Sequence, residues 1–405
     1  MIKIAVMGHG VVGSGTVEVF YKNRESISKK CGGDVDIKYI LDLRDFPGLP
    51  YSDKFTKSFD DIINDGEVKV VVEVMGGLNP AYDYVKRCLS SGRSVVTSNK
   101  ELVAAHGAEL LRIARDNNVN FLFEASVGGG IPIIRPLSQC LAANSIDEIC
   151  GILNGTTNFI LNKMINDGMS FDDALSLAQQ LGYAERNPSA DVDGFDTCRK
   201  ICILASLAFG YHVYPDGIYT EGITNIKLED VVYAKKLGYA VKLIGYAKRI
   251  SNDKIFCATY PALIPFSNSL STVDDVFNAI MVKGDATGDV MFYGKGAGKF
   301  PTASAVVADI IDACMHINRR KSIFWEDAKK DYVIPCEEHE TAFYVRAKCD
   351  LGEASRLFGG VKTSPAENGD VLFITPVMKE KDINAALDAS GIEIKAKLRV
   401  MEQAV

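Results

Sequence analysis

The 405-residue chain lacks an apolar segment of membrane-spanning length: the run Ile201 to Phe209 falls far short of the roughly 20 residues a transmembrane helix needs. It lacks an excess of positive charge. The formal balance of −7 argues against a nucleic-acid or anionic-membrane surface and favours small-molecule partners. No leader segment opens the chain, since strand-like residues begin at Ile2, so a cytoplasmic location is expected. Nor is there a CxxC pair among the ten cysteines (Cys31, Cys88, Cys140, Cys150, Cys198, Cys202, Cys257, Cys314, Cys336 and Cys349), which reads as reduced core residues rather than a disulfide framework. Cys198 and Cys202 stand one helical turn apart, but no histidine lies beside them to complete a zinc site. What remains is ordinary globular composition, 47% hydrophobic and 24% charged, in a length that allows two or three domains, each with its own core.

The chain opens on a β-rich alternation, Ile2 to Met7, that runs into Gly8-His9-Gly10-Val11-Val12-Gly13 and then a helical stretch from about Val12 to Ser28. In this strand-to-helix setting the glycines let the backbone turn tightly and approach a pyrophosphate at the helix N-terminus. Further strands fit Val35 to Leu41, Val68 to Val74, Ser94 to Thr97 and Asn120 to Phe123, with helices around Ala81 to Ser90 and Glu101 to Asp116. That alternation predicts a doubly wound parallel sheet. The second strand ends at Asp42-Leu43-Arg44: an aspartate there suits the ribose hydroxyls of NAD, and an arginine suits the extra phosphate of NADP. Both coenzymes stay open, with NADP slightly favoured. Lys100 follows a strand end at a helix start, where a cation is unfavourable unless a local partner justifies it.

Residues Ala178 to Lys200, AQQLGYAERNPSADVDGFDTCRK, gather a glutamate, three aspartates and a lysine between Gly182, Pro188 and Gly194. Asp196 and Lys200 are four apart where an apolar helix begins, so they share a face and aim an acid and a base at one point. Asp191 and Asp193 have the first spacing of an EF-hand, but glycine falls at the fourth position instead of the sixth and Cys202 occupies the place of the closing glutamate, so calcium is rejected. A solvated acidic turn stays open on these residues alone. Glu124-Ala-Ser-Val127-Gly-Gly129-Gly-Ile131-Pro reads equally as a hinge or as a turn offering carbonyls to a hard cation. Gly151 to Leu161 reads as a strand, a polar elbow and a helix that Thr156 or Thr157 caps. The helix Phe195 to Phe209 should be buried, and strands at Ala240 to Ala247 and Ile255 to Leu263 suggest an open sheet. Gly294 to Thr302 then leads into a long apolar helix, Ala303 to Cys314.

The spacing Ala178-x3-Gly-Tyr-Ala-x2-Asn-Pro-x2-Asp-Val-x-Gly-x-Asp-x3-Lys200 resembles the signature of homoserine dehydrogenases, and the resemblance extends over residues 1 to 13, 92 to 137 and 150 to 162. It implies a monofunctional enzyme of reversible NAD(P)H-dependent reduction of L-aspartate 4-semialdehyde to L-homoserine. The implied fold is α/β: a Rossmann-type nucleotide domain (1–135 with about 300–330), an α+β catalytic and dimerisation domain with an open sheet (136–299), and a shortened ACT-like α+β module of ferredoxin type (335–405). Lys200 is the implied proton donor and acceptor, with Asp196 and Lys100 beside it. Substrate is assigned to Glu185, which would hold its ammonium, and to Asp191, Tyr183, Gly155 and Thr156. The coenzyme is assigned to Gly8, Gly10, Val11, Val12, Gly13, Arg44, Gly76, Lys100 and Gly298. A sodium or potassium ion is assigned to Glu124, Val127, Gly129 and Ile131. A homodimer or higher homo-oligomer is also implied. The tail reads as strands at Ala342 to Ala347, Val371 to Pro376 and Glu393 to Val400 with helices near Glu353 to Phe358 and Lys379 to Ala389, and leaves little room for a full second strand. A threonine sensor and a structural tail are both open. Two alternatives stand beside this reading: another Rossmann oxidoreductase of amino-acid aldehydes or keto acids, and a catalytically silent amino-acid sensor.

Overall fold

Six β-rich segments form the first sheet of the computed structural model, which describes residues 1–401 except Asn318 and Ser322, and Asn368 by its backbone alone. They are β1 (Ile2–Met7), β2 (Val35–Leu41), β3 (Phe55–Thr56), β4 (Val68–Glu73), β5 (Ser94–Thr97) and β6 (Phe121–Leu122). Every pairing is parallel and the order is β3-β2-β1-β4-β5-β6, the doubly wound arrangement expected. The order reverses between β1 and β4, so a ligand crevice opens where those two strands end. Helices cover both faces, and Ile4 to Met7 and Val70 to Val72 are completely buried, as parallel strands covered on both sides must be.

The helix expected over Val12 to Ser28 is two helices, Val11–Lys22 and Arg24–Lys30. Asn23 breaks it: its backbone leaves the helical region, and its side-chain amide donates to the Val19 carbonyl, a local bond that competes with helix continuation. The helix Lys299–Met315 returns to this sheet, packing on helix Val11–Lys22 and on β4 and β5.

The second sheet is mixed. Its strands are β7 (Ile146–Ile152), β8 (Tyr219–Thr220), β9 (Tyr239–Ser251), β10 (Lys254–Pro265), β11 (Phe277–Gly284), β12 (Gly288–Lys295), β13 (Glu340–Lys348), β14 (Thr363–Pro365), β15 (Val371–Ile374), β16 (Met378–Lys379) and β17 (Glu393–Val400). The path runs β12-β11-β7-β9-β10-β17-β13-β15-β14, with β8 on β10 and β16 on β13. Helix Phe195–Phe209 lies against β7, β9 and β10 and is buried without a break from Lys200 to Ser206.

The tail has the order strand, helix, three strands, helix, strand, the third of the three being the two-residue β16, and its sheet order β17-β13-β15-β14 is antiparallel throughout. Its second strand exists but is only the three residues Thr363–Pro365. The tail does not stand apart: β17 pairs with β10 at Ala262 and Leu263, making one continuous sheet. A buried ionic cluster reinforces the join, with Arg346 bound to Asp230 on helix Leu228–Lys236 and to Asp370. Residues 402–405 of the expected tail module lie outside the described residues. No helix among the described residues is long and apolar enough to cross a membrane.

Candidate active site

Helix Phe195–Phe209 starts at Gly194, whose φ of +87° is a conformation that residues with a Cβ avoid. One turn in, Lys200 Nζ donates to Asp196 Oδ2 at 2.8 Å and to the carbonyl of Leu153 at 2.7 Å. Asp196 is 2% exposed, and its other oxygen forms an ion pair with Lys100. That pair is the local reason for a cation at the start of helix Lys100–Asp116, a helix capped by Asn99, which also donates to the carbonyl of Gly77. Asp196 is thus shared by two lysines brought from different parts of the chain.

These charges tune one another. Burial pushes the Lys200 ammonium below its usual pKa; Asp196 opposes that and Lys100 adds to it. Burial works to raise the Asp196 pKa, yet Lys200 and Lys100 outweigh it and hold the carboxyl well below the usual range. Asp191 is displaced the other way, raised by burial and by neighbouring Asp196.

Asn154 was not singled out in the sequence and is central here. Its side-chain amide donates to Asp191 at 2.7 Å and to Asp196 at 2.8 Å, while its oxygen accepts from the Thr157 amide. It is the cap of helix Gly155–Asp167. The cap expected at Thr156 or Thr157 is therefore corrected: a capping acceptor must precede the first turn in extended backbone, which only Asn154 does. Thr157 instead bonds back to Asn154, and Thr156 donates to the carbonyl of Tyr183. An asparagine before Gly-Thr-Thr at a strand end was a capping signal in the sequence.

Other expected substrate residues sit at the margin. Gly155 packs its backbone against the carbonyl of Val276. Tyr183 is 42% exposed, its ring edge-on to Phe159 at 5.1 Å. Glu185 is exposed, and its carbonyl, not its carboxylate, accepts from Gln179. The structure brings Asp191, Asp196, Lys200 and Lys100 together and leaves Glu185 outside that hydrogen-bonded group.

At the crevice of the parallel sheet, Gly10 precedes helix Val11–Lys22 with no side-chain cap, so the first amides, Val11 and Val12 among them, are free for an anion. Gly13 makes this approach feasible: a Cβ there would lie 2.1 Å from the carbonyl oxygen of Gly8. Gly76 follows β4 in a loop that buried Glu73 organises, accepting from the amides of Met75 and Gly76 and from Thr97. Gly298 precedes helix Lys299–Met315. A cavity of about 710 Å³ is bordered by His9, Gly10, Val11, Arg44, Tyr51 and Lys299. On its rim Asp42 accepts from the His9 and Arg44 amides and from the Arg44 guanidinium, which lies over the Phe46 ring. Free backbone donors and a close glycine cradle suit a dinucleotide.

Glu124 is buried with its carboxylate turned to the amides of Ile133, Ile134 and Arg135. Among the described residues, no hydrogen bond is donated to the carbonyls of Val127, Gly129 or Ile131.

Comparison with known proteins decides the family. A sequence profile described as the homoserine dehydrogenase NAD binding domain matches residues 8–124, and one described as homoserine dehydrogenase matches 132–311. The homoserine dehydrogenase of Synechocystis sp. is 38% identical over 417 aligned positions, covering 96% of this chain and 95% of its own. The chain belongs to the homoserine dehydrogenase family. It is an NAD(P)-dependent oxidoreductase that interconverts L-aspartate 4-semialdehyde and L-homoserine in threonine and methionine biosynthesis. The crystal structure of a homoserine dehydrogenase from Thiobacillus denitrificans superposes with a TM-score of 0.91 at 35% identity, over 99% of this chain and 98% of that one. A hyperthermophilic archaeal homoserine dehydrogenase in complex with NADPH matches 77% of this chain and 97% of its own, at 29% identity and a TM-score of 0.65.

Proposed function

We propose that Lys200 gives a proton to the substrate oxygen in semialdehyde reduction and takes it back in homoserine oxidation. Asp196 orients Lys200, and Lys100 adds positive charge beside the forming alkoxide. The observation that carries this reading is the buried pair Lys200–Asp196 in the first turns of helix Phe195–Phe209, joined by half-exposed Lys100 from the start of helix Lys100–Asp116: an acid-base pair with a second cation. The bound nicotinamide supplies or accepts the hydride. Asp191, Tyr183, Gly155 and Thr156 border the substrate, and Glu185 reaches its ammonium from the exposed loop.

NADP is slightly preferred in this reading: Arg44, paired with Asp42, and Lys299, paired with Glu18, place two cations on the cavity rim where the extra phosphate can exchange with their carboxylate partners. The phosphates rest on Gly8, Gly10, Val11, Val12 and Gly13, with Gly76 and Gly298 on the flanks. A sodium or potassium ion binds the carbonyls of Val127, Gly129 and Ile131 together with Glu124; hard oxygen donors in a tight turn suit such an ion. The working enzyme is a cytoplasmic homodimer or higher homo-oligomer with its nucleotide domain at 1–135 and about 300–330, its catalytic domain at 136–299 and its shortened tail module from 335.

The test is turnover in both directions with NADP and NAD, at fixed sodium and potassium, across pH. Lys200 must be charged to donate, so reduction at saturating substrate falls as pH rises through its pKa, which lies below the usual lysine value of about 10.4. Homoserine oxidation rises over the same interval. Profiles that bend in the same direction for both reactions would remove Lys200 from the proton path.

A further inference from the structure

We propose that Arg399, in the last strand of the chain, is a positioning residue for the reaction: through Glu221 it fixes the turn Val192–Gly194, and with it the acids on either side, Asp191 and Asp196. This rests on the reading of those acids as lining the substrate site.

Arg399 is 3% exposed. Its Nη2 donates to both oxygens of Glu380, at 2.9 and 3.0 Å, and its Nη1 to Glu221 at 2.9 Å. Tyr219 and Tyr260 hold the guanidinium at 4.6 and 4.7 Å from their ring centres. The planar fork therefore ties the tail helix Glu380–Ser390 to a loop of the catalytic region in one fixed geometry.

What lies behind Glu221 is backbone packed on backbone. A Cβ on Gly222 would fall 2.1 Å from the Val192 carbonyl oxygen and 2.4 Å from the Asp193 Cα, and the Ile223 amide donates to that same carbonyl at 2.8 Å. A Cβ on Gly194 would be 3.2 Å from the Glu221 carbonyl. With so little space, a shift of the Glu221 peptide cannot be absorbed and passes to residues 192 to 194. Asp191 ends one side of that turn and Asp196 begins the other, and Asn154 bridges them. Small misplacements of such groups are costly in rate.

A merely stabilising ion pair would give a different pattern, because Arg399 has two carboxylate partners and only Glu221 backs the turn. Glu221→Ala and Arg399→Lys, which cannot serve both carboxylates, are expected to lower kcat/KM for the semialdehyde by about fivefold or more, mainly through KM, with NADPH affinity within about twofold of the parent. Glu380→Gln leaves Glu221 bound to Arg399 and should keep parental kinetics while lowering Tm. Parental kinetics in either Glu221→Ala or Arg399→Lys, or an equal loss in Glu380→Gln, would overturn the proposal. Asp191→Asn separates the two levels: a parental KM there removes the site reading and this inference together, whereas a raised KM without an effect of Glu221→Ala removes this inference alone.

Discussion

The crevice of the parallel sheet and the cluster on the mixed sheet are built from different materials. In the first, the ligand surface is backbone: free amides before helix Val11–Lys22, the close contact of Gly13 on Gly8, and a loop organised by Glu73. In the second it is charge: buried Asp196 and Lys200, partly buried Asp191, and Lys100 reaching in from the nucleotide domain. A backbone site is damaged by adding a Cβ and is indifferent to most side chains. A charge site is damaged by removing one partner, because the others stay buried and uncompensated.

Lys200→Ala should show the largest effect, a fall in kcat of at least ~10²-fold in both directions with coenzyme binding preserved. An alanine variant that keeps activity within a few-fold of the parent would place the proton donor elsewhere. Gly13→Ala is the complementary break: overpacking costs about 1–3 kcal/mol, so NADPH affinity should drop roughly tenfold, while homoserine-site chemistry at saturating coenzyme changes little. If Gly13→Ala impairs kcat as much as affinity, the two regions are not separable in this way.

Arg44→Ala sharpens the same contrast within the crevice. Loss of a charge-assisted contact of about 1.5–3 kcal/mol should weaken NADP by about tenfold to a hundredfold and leave NAD nearly unchanged, since Asp42 is then released. Equal weakening of both coenzymes would contradict a role for Arg44 at the phosphate. The smallest effect is on stability. Buried His339, stacked on Phe256 at 3.8 Å, has its pKa pushed down to about 4 by burial. The unfolded chain takes up that proton near pH 6.5, so the folded state loses stability as pH falls from about 6.5 to 4. In His339→Phe that loss should shrink by about 1–3 kcal/mol, read as a flatter Tm against pH; an unchanged slope would assign the acid sensitivity to other groups.

How far the site could be read from the chain follows the same division. Gly8 to Gly13 and Asp196 with Lys200 were legible because each set is local: a strand-to-helix turn, and two residues one helical turn apart. Asn154 was passed over because its partners are 37 and 42 positions away. The residues around Lys100 show only a cation that needs a local partner, its place beside Lys200 is implied by the family resemblance alone, and the partner is Asp196, 96 positions along the chain and invisible to any local pattern. The break at Asn23 escaped because periodicity continues across it while one side-chain amide does not. The short strand Thr363–Pro365 escaped because three residues carry too little alternation to register.

By itself, then, the order of residues determined the parallel sheet, its glycine turn from strand to helix, the family signature and the helix that carries Lys200, since each depends on periodicity or on neighbours within a turn or two. Only the tertiary structure decided that Asp196 is shared by two lysines, that Asn154 joins the acids, and that the tail continues the catalytic sheet through β10 and β17. Those are contacts between distant segments, and their energies come from burial and desolvated charge, which no local pattern records.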